Sequence, residues 1–406
     1  MDEFVNSEIS DALWNKSLLE IKNEFKNILH YWEQYAVDTA AGGFQGQVKE
    51  HNQIVQEAPK GSVLNARILW SFSASYAYTH NPSHLELATR AFEYIKNHFL
   101  DPQYGGLYWT VNAQGELLDG HKQIYAQAFG IYGMSEYYRV SQKTSVLSLA
   151  INWYRLIEKH SYDPVHGGYT EALSREWTFL KDKRLSKKDK NTDKSMNTHL
   201  HIIEAYANLY SVWPDPELKM AIVKLLKIFD EKIIQKSTGH LGLFYSSDWE
   251  IQDTLISYGH DIEAGWLLLS CAASVDDKDL ISIAKKNAVL ITNAAITGFD
   301  KDGGLWYEFD YKKHELIAEK HWWPQAEALV GLFNALEITE NPMYKNLLLK
   351  NWSFIKLNIL DTAYGEWHWG IDSYQQLIPN QDKIGLWKCP YHNIRACLEI
   401  IKRSEI

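Results

Sequence analysis

Three histidines stand near the start of long apolar stretches in this chain, each with ionisable residues at helical spacing. In Ser195–Val212, Asn197, His201 and Glu204 fall at i, i+4 and i+7, a single stripe of a helix. His260 and Glu263 are i, i+3 in Ser257–Val275, and Trp323 and Glu327 are i, i+4 in His321–Thr339. In Trp387–Arg403, Lys388, His392 and Arg395 repeat the i, i+4, i+7 pattern, while Arg67 and Tyr125 hold comparable early positions in Gly61–Tyr78 and Lys122–Val140. A helix meant for burial carries ionisable groups at a cost unless they are paired or used. Imidazole titrates near pH 6.5, which suits taking and returning a proton at neutral pH. His201, His260 and His392, with Glu204, Glu263, Glu327 and Arg395 around them, therefore read as acid/base machinery.

Other chemistries compete for the same residues. His and Glu at i, i+3 also suit helical metal ligation. The His-Glu-x-x-His zinc pattern is absent, however, and Arg67, Lys388 and Arg395 would oppose a dication, so no metal is expected. Glycoside hydrolysis needs two carboxylates across a scissile bond and has no use for three histidines. A Gly-x-Ser-x-Gly nucleophile turn, a Gly-x-x-x-x-Gly-Lys phosphate loop and a Gly-x-Gly-x-x-Gly dinucleotide turn are all missing.

The elements that must bring these stripes together show in an internal repeat. Aromatic-glycine segments recur at Gly43, Gly106, Gly168, Gly242, Gly304 and Gly365, at intervals of roughly 62 residues. After each marker comes a stretch rich in Ala, Leu, Ile and aromatics on most faces, as for a helix buried on all sides. Before each marker lies a more amphipathic one: Asn15–Tyr35, Ser83–Leu100, Thr144–His160, Pro216–Ile234, Lys278–Ala294 and Asn341–Leu360. Six outer and six inner helices predict an all-α fold, an (α/α)6 barrel. Short β-hairpins between outer and inner helices would line one mouth, with glycine supplying the positive φ of each turn. An open helical solenoid is the other architecture that fits the period. The interval from Gly168 to Gly242 is longer, by about a dozen residues, where Lys181–Asn191 forms a charged run. Such a run reads as a solvated loop, or as a lid over the mouth.

The repeat fills the 406 residues and is read as one domain, 1–406. Apolar residues make up 46%, aromatics 13%, and there are 16 Trp. Surplus indole rings suit packing on pyranose faces or, equally, an aromatic helical core. A net charge of −10 argues against nucleic acid as a partner. Cys271, Cys389 and Cys397 lack disulfide or zinc spacing and read as reduced core thiols. Met1–Asn15 is polar with no apolar leader segment, and the longest apolar stretch, near Gly265–Val275, is too short to span a bilayer. A cytoplasmic monomer is expected, with no membrane contact.

Four blocks carry a family resemblance. Ser195-Met196-Asn197-Thr198-His199-Leu200-His201-Ile202-Ile203-Glu204-Ala205-Tyr206, Tyr258-Gly259-His260-Asp261-Ile262-Glu263, His321-Trp322-Trp323-Pro324-Gln325-Ala326-Glu327 and Trp387-Lys388-Cys389-Pro390-Tyr391-His392-Asn393 resemble, in order, signature blocks of the N-acylglucosamine 2-epimerase superfamily, in particular the cellobiose 2-epimerases. The similarity extends from about Trp14 to Ile401. It implies an (α/α)6 barrel that interconverts C2 epimers at the reducing end of β-1,4-linked disaccharides such as cellobiose and lactose, with no cofactor. In the family, the residues matching His260 and His392 form the acid/base pair at C2, and the one matching His201 supports ring opening. Those matching Arg67, Tyr125 and Asn197 hold sugar hydroxyls, and those matching Trp323 and Trp387 stack on sugar rings.

The chemistry expected from the residues agrees. After ring opening a base removes the C2 proton, leaving an enediolate that calls for a cationic or hydrogen-bonding partner such as Arg67 or protonated His201. Reprotonation on the other face comes from a second imidazole or follows rotation of the opened chain. Glu263 and Glu327 would orient histidines or grip hydroxyls, or else form salt bridges with Arg395 or Lys388. N-acylglucosamine 2-epimerisation and aldose–ketose isomerisation of mannose share the enediolate. Trp387, as an added platform, favours a disaccharide.

Overall fold

The structure, a computed structural model, describes residues 11–405. Most of the N-terminal segment read as leaderless lies outside the described residues. Twelve α-helices run in outer-then-inner pairs. The outer helices are α1 (Asp11–Tyr35), α3 (Pro82–Tyr94), α5 (Thr144–His160), α7 (Pro216–Ile228), α9 (Lys278–Ala295) and α11 (Pro342–Asn358). The inner ones are α2 (Ser62–Thr79), α4 (Ile124–Ser141), α6 (Met196–Tyr210), α8 (Tyr258–Ser274), α10 (Trp322–Thr339) and α12 (Tyr391–Ser404). Residues 62–75 of α2 are buried without a break, whereas α5 buries only Val146, Ala150, Trp153, Tyr154 and Ile157. That difference is the physical content of the two sequence patterns.

Inner-to-outer connections are tight. His80 ends α2 in the left-handed region at φ 55°, the Asn81 side chain accepts from the Ser83 N–H, and Pro82 opens α3. The Asn-Pro pair recurs at Asn341-Pro342 and as Asp215-Pro216, placing cap and proline where each costs nothing.

Outer-to-inner connections close the barrel. The strand entering each inner helix pairs with the following unit: 60–61 with 110–111, 122–123 with 172–173, 194–195 with 244–245, 255–257 with 308–310, and 320–321 with 370–371. The sixth such strand, 382–384, pairs with 48–49 of the first unit. Successive inner helices pack side by side, and α12 returns to α2. The ring is closed and the solenoid excluded.

Two expectations need correction. In the fifth unit the positive φ, 91°, belongs to Gly303 and not to the marker Gly304; in the fourth unit the turn glycine is Gly239, at φ 84°, while the marker Gly242 does not adopt a positive φ. The second glycine position of that turn belongs to His240, whose carbonyl accepts from the Gln235 N–H as Gly106 accepts from Asp101. The sixth inner helix begins at Tyr391, four residues after Trp387. Pro390 donates no N–H, and the residue before a proline is kept out of helical geometry. Lys388 is therefore off the helical stripe.

The three cysteines are free and buried. No helix among the described residues is long and apolar enough to cross a membrane.

Candidate active site

At the hairpin mouth the ring surrounds a cavity of about 420 Å³, a size suited to small ligands. All six inner helices reach it: Arg67 from α2, Tyr125 from α4, Asn197 and His201 from α6, His260 and Glu263 from α8, Trp322 and Trp323 from α10, and His392 from α12. Trp387 joins them from the loop ahead of α12.

Each histidine is held from behind through Nδ1. His201 bonds Glu204 Oε2 at 2.8 Å, His392 bonds Glu327 Oε1 at 2.6 Å, and His260 meets the Ser257 hydroxyl at 2.8 Å. A carboxylate accepts only, so His201 and His392 present a bare Nε2 when neutral. Burial pushes all three imidazoles below their ordinary value; the Arg67 and Arg395 cations add to this at His392. Neutral rings with one nitrogen anchored are poised as bases.

Behind the histidines, Arg395 gathers three carboxylates. Its guanidinium donates to Glu204 Oε1 at 2.5 Å, Glu263 Oε1 at 2.7 Å and Glu327 Oε1 at 2.6 Å. Burial alone would raise Glu204, but Arg395 and then His201 hold it down to about 2. Glu263 is raised by burial and by the adjacent Glu327. Glu327 is raised by burial against the pull of Arg395. Glu263, Glu327 and His392 lie close enough to suggest a cation site. Their facing atoms are already shared with Arg395 or one another, which suits a guanidinium and not a dication.

Arg67 faces the cavity with NH2 donating to the Tyr125 hydroxyl at 2.6 Å and its plane 4.2 Å from the Phe129 ring centre. Its Nε and the Asn197 Oδ1 are buried with no partner among the described residues. Trp323 lies between two histidines, 4.8 Å from His260 and 5.6 Å from His392 by ring centres. Gly259 makes this possible, since a Cβ there would stand 2.5 Å from the Trp323 ring.

Not every expected residue meets the cavity. Glu327 is fully buried with Trp266, Arg395 and His392 on its oxygens and is not part of the cavity wall. Lys388 pairs with Glu366 at 2.9 Å and is not part of the cavity wall. The wall also includes residues that the sequence pattern did not single out: Tyr307, His321, Trp369 and Gln381. Trp369 follows the sixth glycine segment by a few residues, a signal that was present. The charged run supplies wall as well, through Leu185, Ser186, Lys187, Lys188 and Asp189. Many other tryptophans, among them Trp32, Trp153, Trp352 and Trp367, are core. The aromatic surplus is thus divided between the core and the cavity wall, where Trp322, Trp323, Trp369 and Trp387 stand.

Comparison with known proteins follows this geometry. The family model described as N-acylglucosamine 2-epimerase (GlcNAc 2-epimerase) matches residues 42–396. The chain is 41% identical over 401 residues to a cellobiose 2-epimerase of Bacteroides fragilis, covering 99% of this chain and 100% of that one. It superposes on the solved cellobiose 2-epimerase of Bacillus thermoamylovorans with a TM-score of 0.90 at 36% identity, covering 96% of this chain and all of that one. A D-mannose isomerase of Marinomonas mediterranea is more distant, 22% identical over 89% of this chain and 91% of its own. With most of the chain inside the family model and full-length relatives well above 30% identity, this protein belongs to the N-acylglucosamine 2-epimerase family.

Proposed function

We propose that the chain is a cellobiose 2-epimerase, interconverting glucose and mannose at the reducing end of β-1,4-linked disaccharides such as cellobiose and lactose. The observation that carries this reading is the set of three imidazoles, each anchored through Nδ1, around a single cavity that also holds Arg67. The similarity to cellobiose 2-epimerases, greater than to the D-mannose isomerase, supports C2 epimerisation over isomerisation.

In this reading His201 assists opening of the pyranose. One of His260 and His392 takes the C2 proton, and the enediolate oxygen rests on Arg67 and Tyr125. The proton returns to the opposite face from the same imidazole after the opened chain has rotated, or from the other imidazole when that ring enters the cycle protonated at Nε2. Asn197 and Glu263 bind hydroxyls, while Trp323 and Trp387 offer ring faces to the two sugars. Glu327 is a positioning residue. No cofactor is called for. A one-domain monomer in the cytoplasm fits three unpaired buried thiols and a net charge of −10 unsuited to nucleic acid.

The test is incubation with cellobiose in heavy water. Deuterium at C2 of the reducing sugar together with formation of the mannose epimer is the expected result. Release of free glucose would mark a hydrolase, and activity on mannose or N-acetylglucosamine alone would move the assignment to a monosaccharide enzyme.

A further inference from the structure

Ser257 opens α8 at the position where, in the third unit, Ser195 opens α6. The two serines do different things. The Ser195 hydroxyl accepts from the Thr198 N–H, an ordinary helix cap. The Ser257 side chain makes no cap bond; its hydroxyl is fully buried and bonds His260 Nδ1 at 2.8 Å. The fourth unit departs from its neighbours here in another way. The residue before the inner helix's cap position is Lys60, Lys122, Lys194 or Lys320 in four other units, but Ile256 in this unit. No fixed cation stands one residue from Ser257 on that strand.

His201 and His392 are backed by carboxylates, and His260 alone by a neutral hydroxyl. We propose that Ser257 is a positioning residue for the C2 chemistry: it forgoes capping α8 in order to hold His260 in the tautomer with Nδ1–H inward and a bare Nε2 toward the cavity, without adding a charge that would keep the ring protonated. The inference rests on the epimerase reading.

In the step concerned, the C2–H bond breaks and its electron pair enters the C1–C2 bond, while the carbonyl pair moves to O1. The proton goes to Nε2, and Nδ1–H stays on the serine oxygen. A carboxylate in place of the hydroxyl would stabilise the imidazolium and slow release of that proton. The titratable and charged groups around His260 are His201 of α6, Glu263 on its own helix, Glu327 of α10, His392 of α12, Lys183, Arg184, Lys188, Asp189 and Lys190 of the charged loop, Glu171, and Tyr307 and Glu308 of the neighbouring hairpin, Glu308 being paired across the strands with Ser257.

The experiment compares Ser257→Ala, Ser257→Thr and Ser257→Asp by kinetics on cellobiose across pH and by NMR titration of the His260 ring. The expected result is at least a tenfold loss of kcat with little change in KM for Ser257→Ala, and most of the rate retained by Ser257→Thr. In Ser257→Asp, the His260 midpoint and the acid limb of kcat/KM should both move upward. Wild-type kcat and pH profile in Ser257→Ala, or a His260 midpoint unchanged in Ser257→Asp, would overturn the proposal. So would equal slowing of the Ala and Thr variants with matching losses of thermal stability. The NMR arm needs no turnover, so it still reports on Ser257 if the wild-type protein places no deuterium at C2.

Discussion

What stands behind each imidazole at the mouth decides what its exposed nitrogen can do. In the proposed mechanism, truncating either His260 or His392 removes a proton acceptor at C2. His260→Ala and His392→Ala should each lower C2 exchange by about 10²-fold or more while the circular dichroism spectrum stays that of wild type. Wild-type turnover in either would remove that residue from the mechanism. Glu327→Gln is expected to act through His392. It keeps the shape but weakens acceptance from Nδ1 and leaves Arg395 short of a counter-charge, so kcat falls and stability drops by about 3 kcal/mol, measurable by denaturant unfolding. Because burial holds the imidazoles below the ordinary value, kcat/KM should keep its plateau to the acid side of about pH 6.5. The linked stability runs the same way. Below about pH 6.5 the unfolded chain binds protons that the folded one refuses, so stability declines as pH falls through that value.

At the scale of elements, a buried lysine ties the strand ahead of the inner helix to its hairpin in five of the six units, the fourth having Ile256 in that place. Lys60, Lys122, Lys194, Lys320 and Lys383 reach back to Asp38, Asp101, Asp163, Asp300 and Asp361 at 2.7 to 3.0 Å. Lys383 also donates to the Gly365 carbonyl at 2.8 Å. Removing it strands Asp361, and Lys383→Met should cost about 3–5 kcal/mol in urea unfolding; a cost below about 1 kcal/mol would place the pair among weak surface bridges. These lysines and aspartates stand at regular places beside the glycine markers, so this layer was open to reading, yet periodicity of apolar residues passes over it. The histidine stripes were legible for the opposite reason: His201, His260 and His392 interrupt helices that are otherwise apolar. Lys388 misled because its spacing matched a helix that Pro390 starts later. Ser257 was hidden, since serine before a helix ordinarily means a cap. Tyr307 and Gln381 come from hairpins whose inward direction depends on pairing between units, which a linear period does not encode.

For the molecule as a whole, the pairing of 382–384 with 48–49 makes the first and last units neighbours like any other two. Helix α1 packs on α12, and Lys22 meets Glu405 at 2.8 Å across that seam. The same union tethers Trp367 Nε1 to Glu24 at 2.9 Å. Each inner helix therefore sees an equivalent partner on both sides, and the order in which the units are threaded carries little of the architecture. A circular permutant, with residue 405 joined to residue 11 by a flexible linker and new termini opened at the exposed turn near Asp215, should fold and retain epimerisation. Its unfolding should stay cooperative, because the cut severs a peptide bond and no strand pair. Sequence position would then be a historical accident of a molecule whose geometry has no beginning.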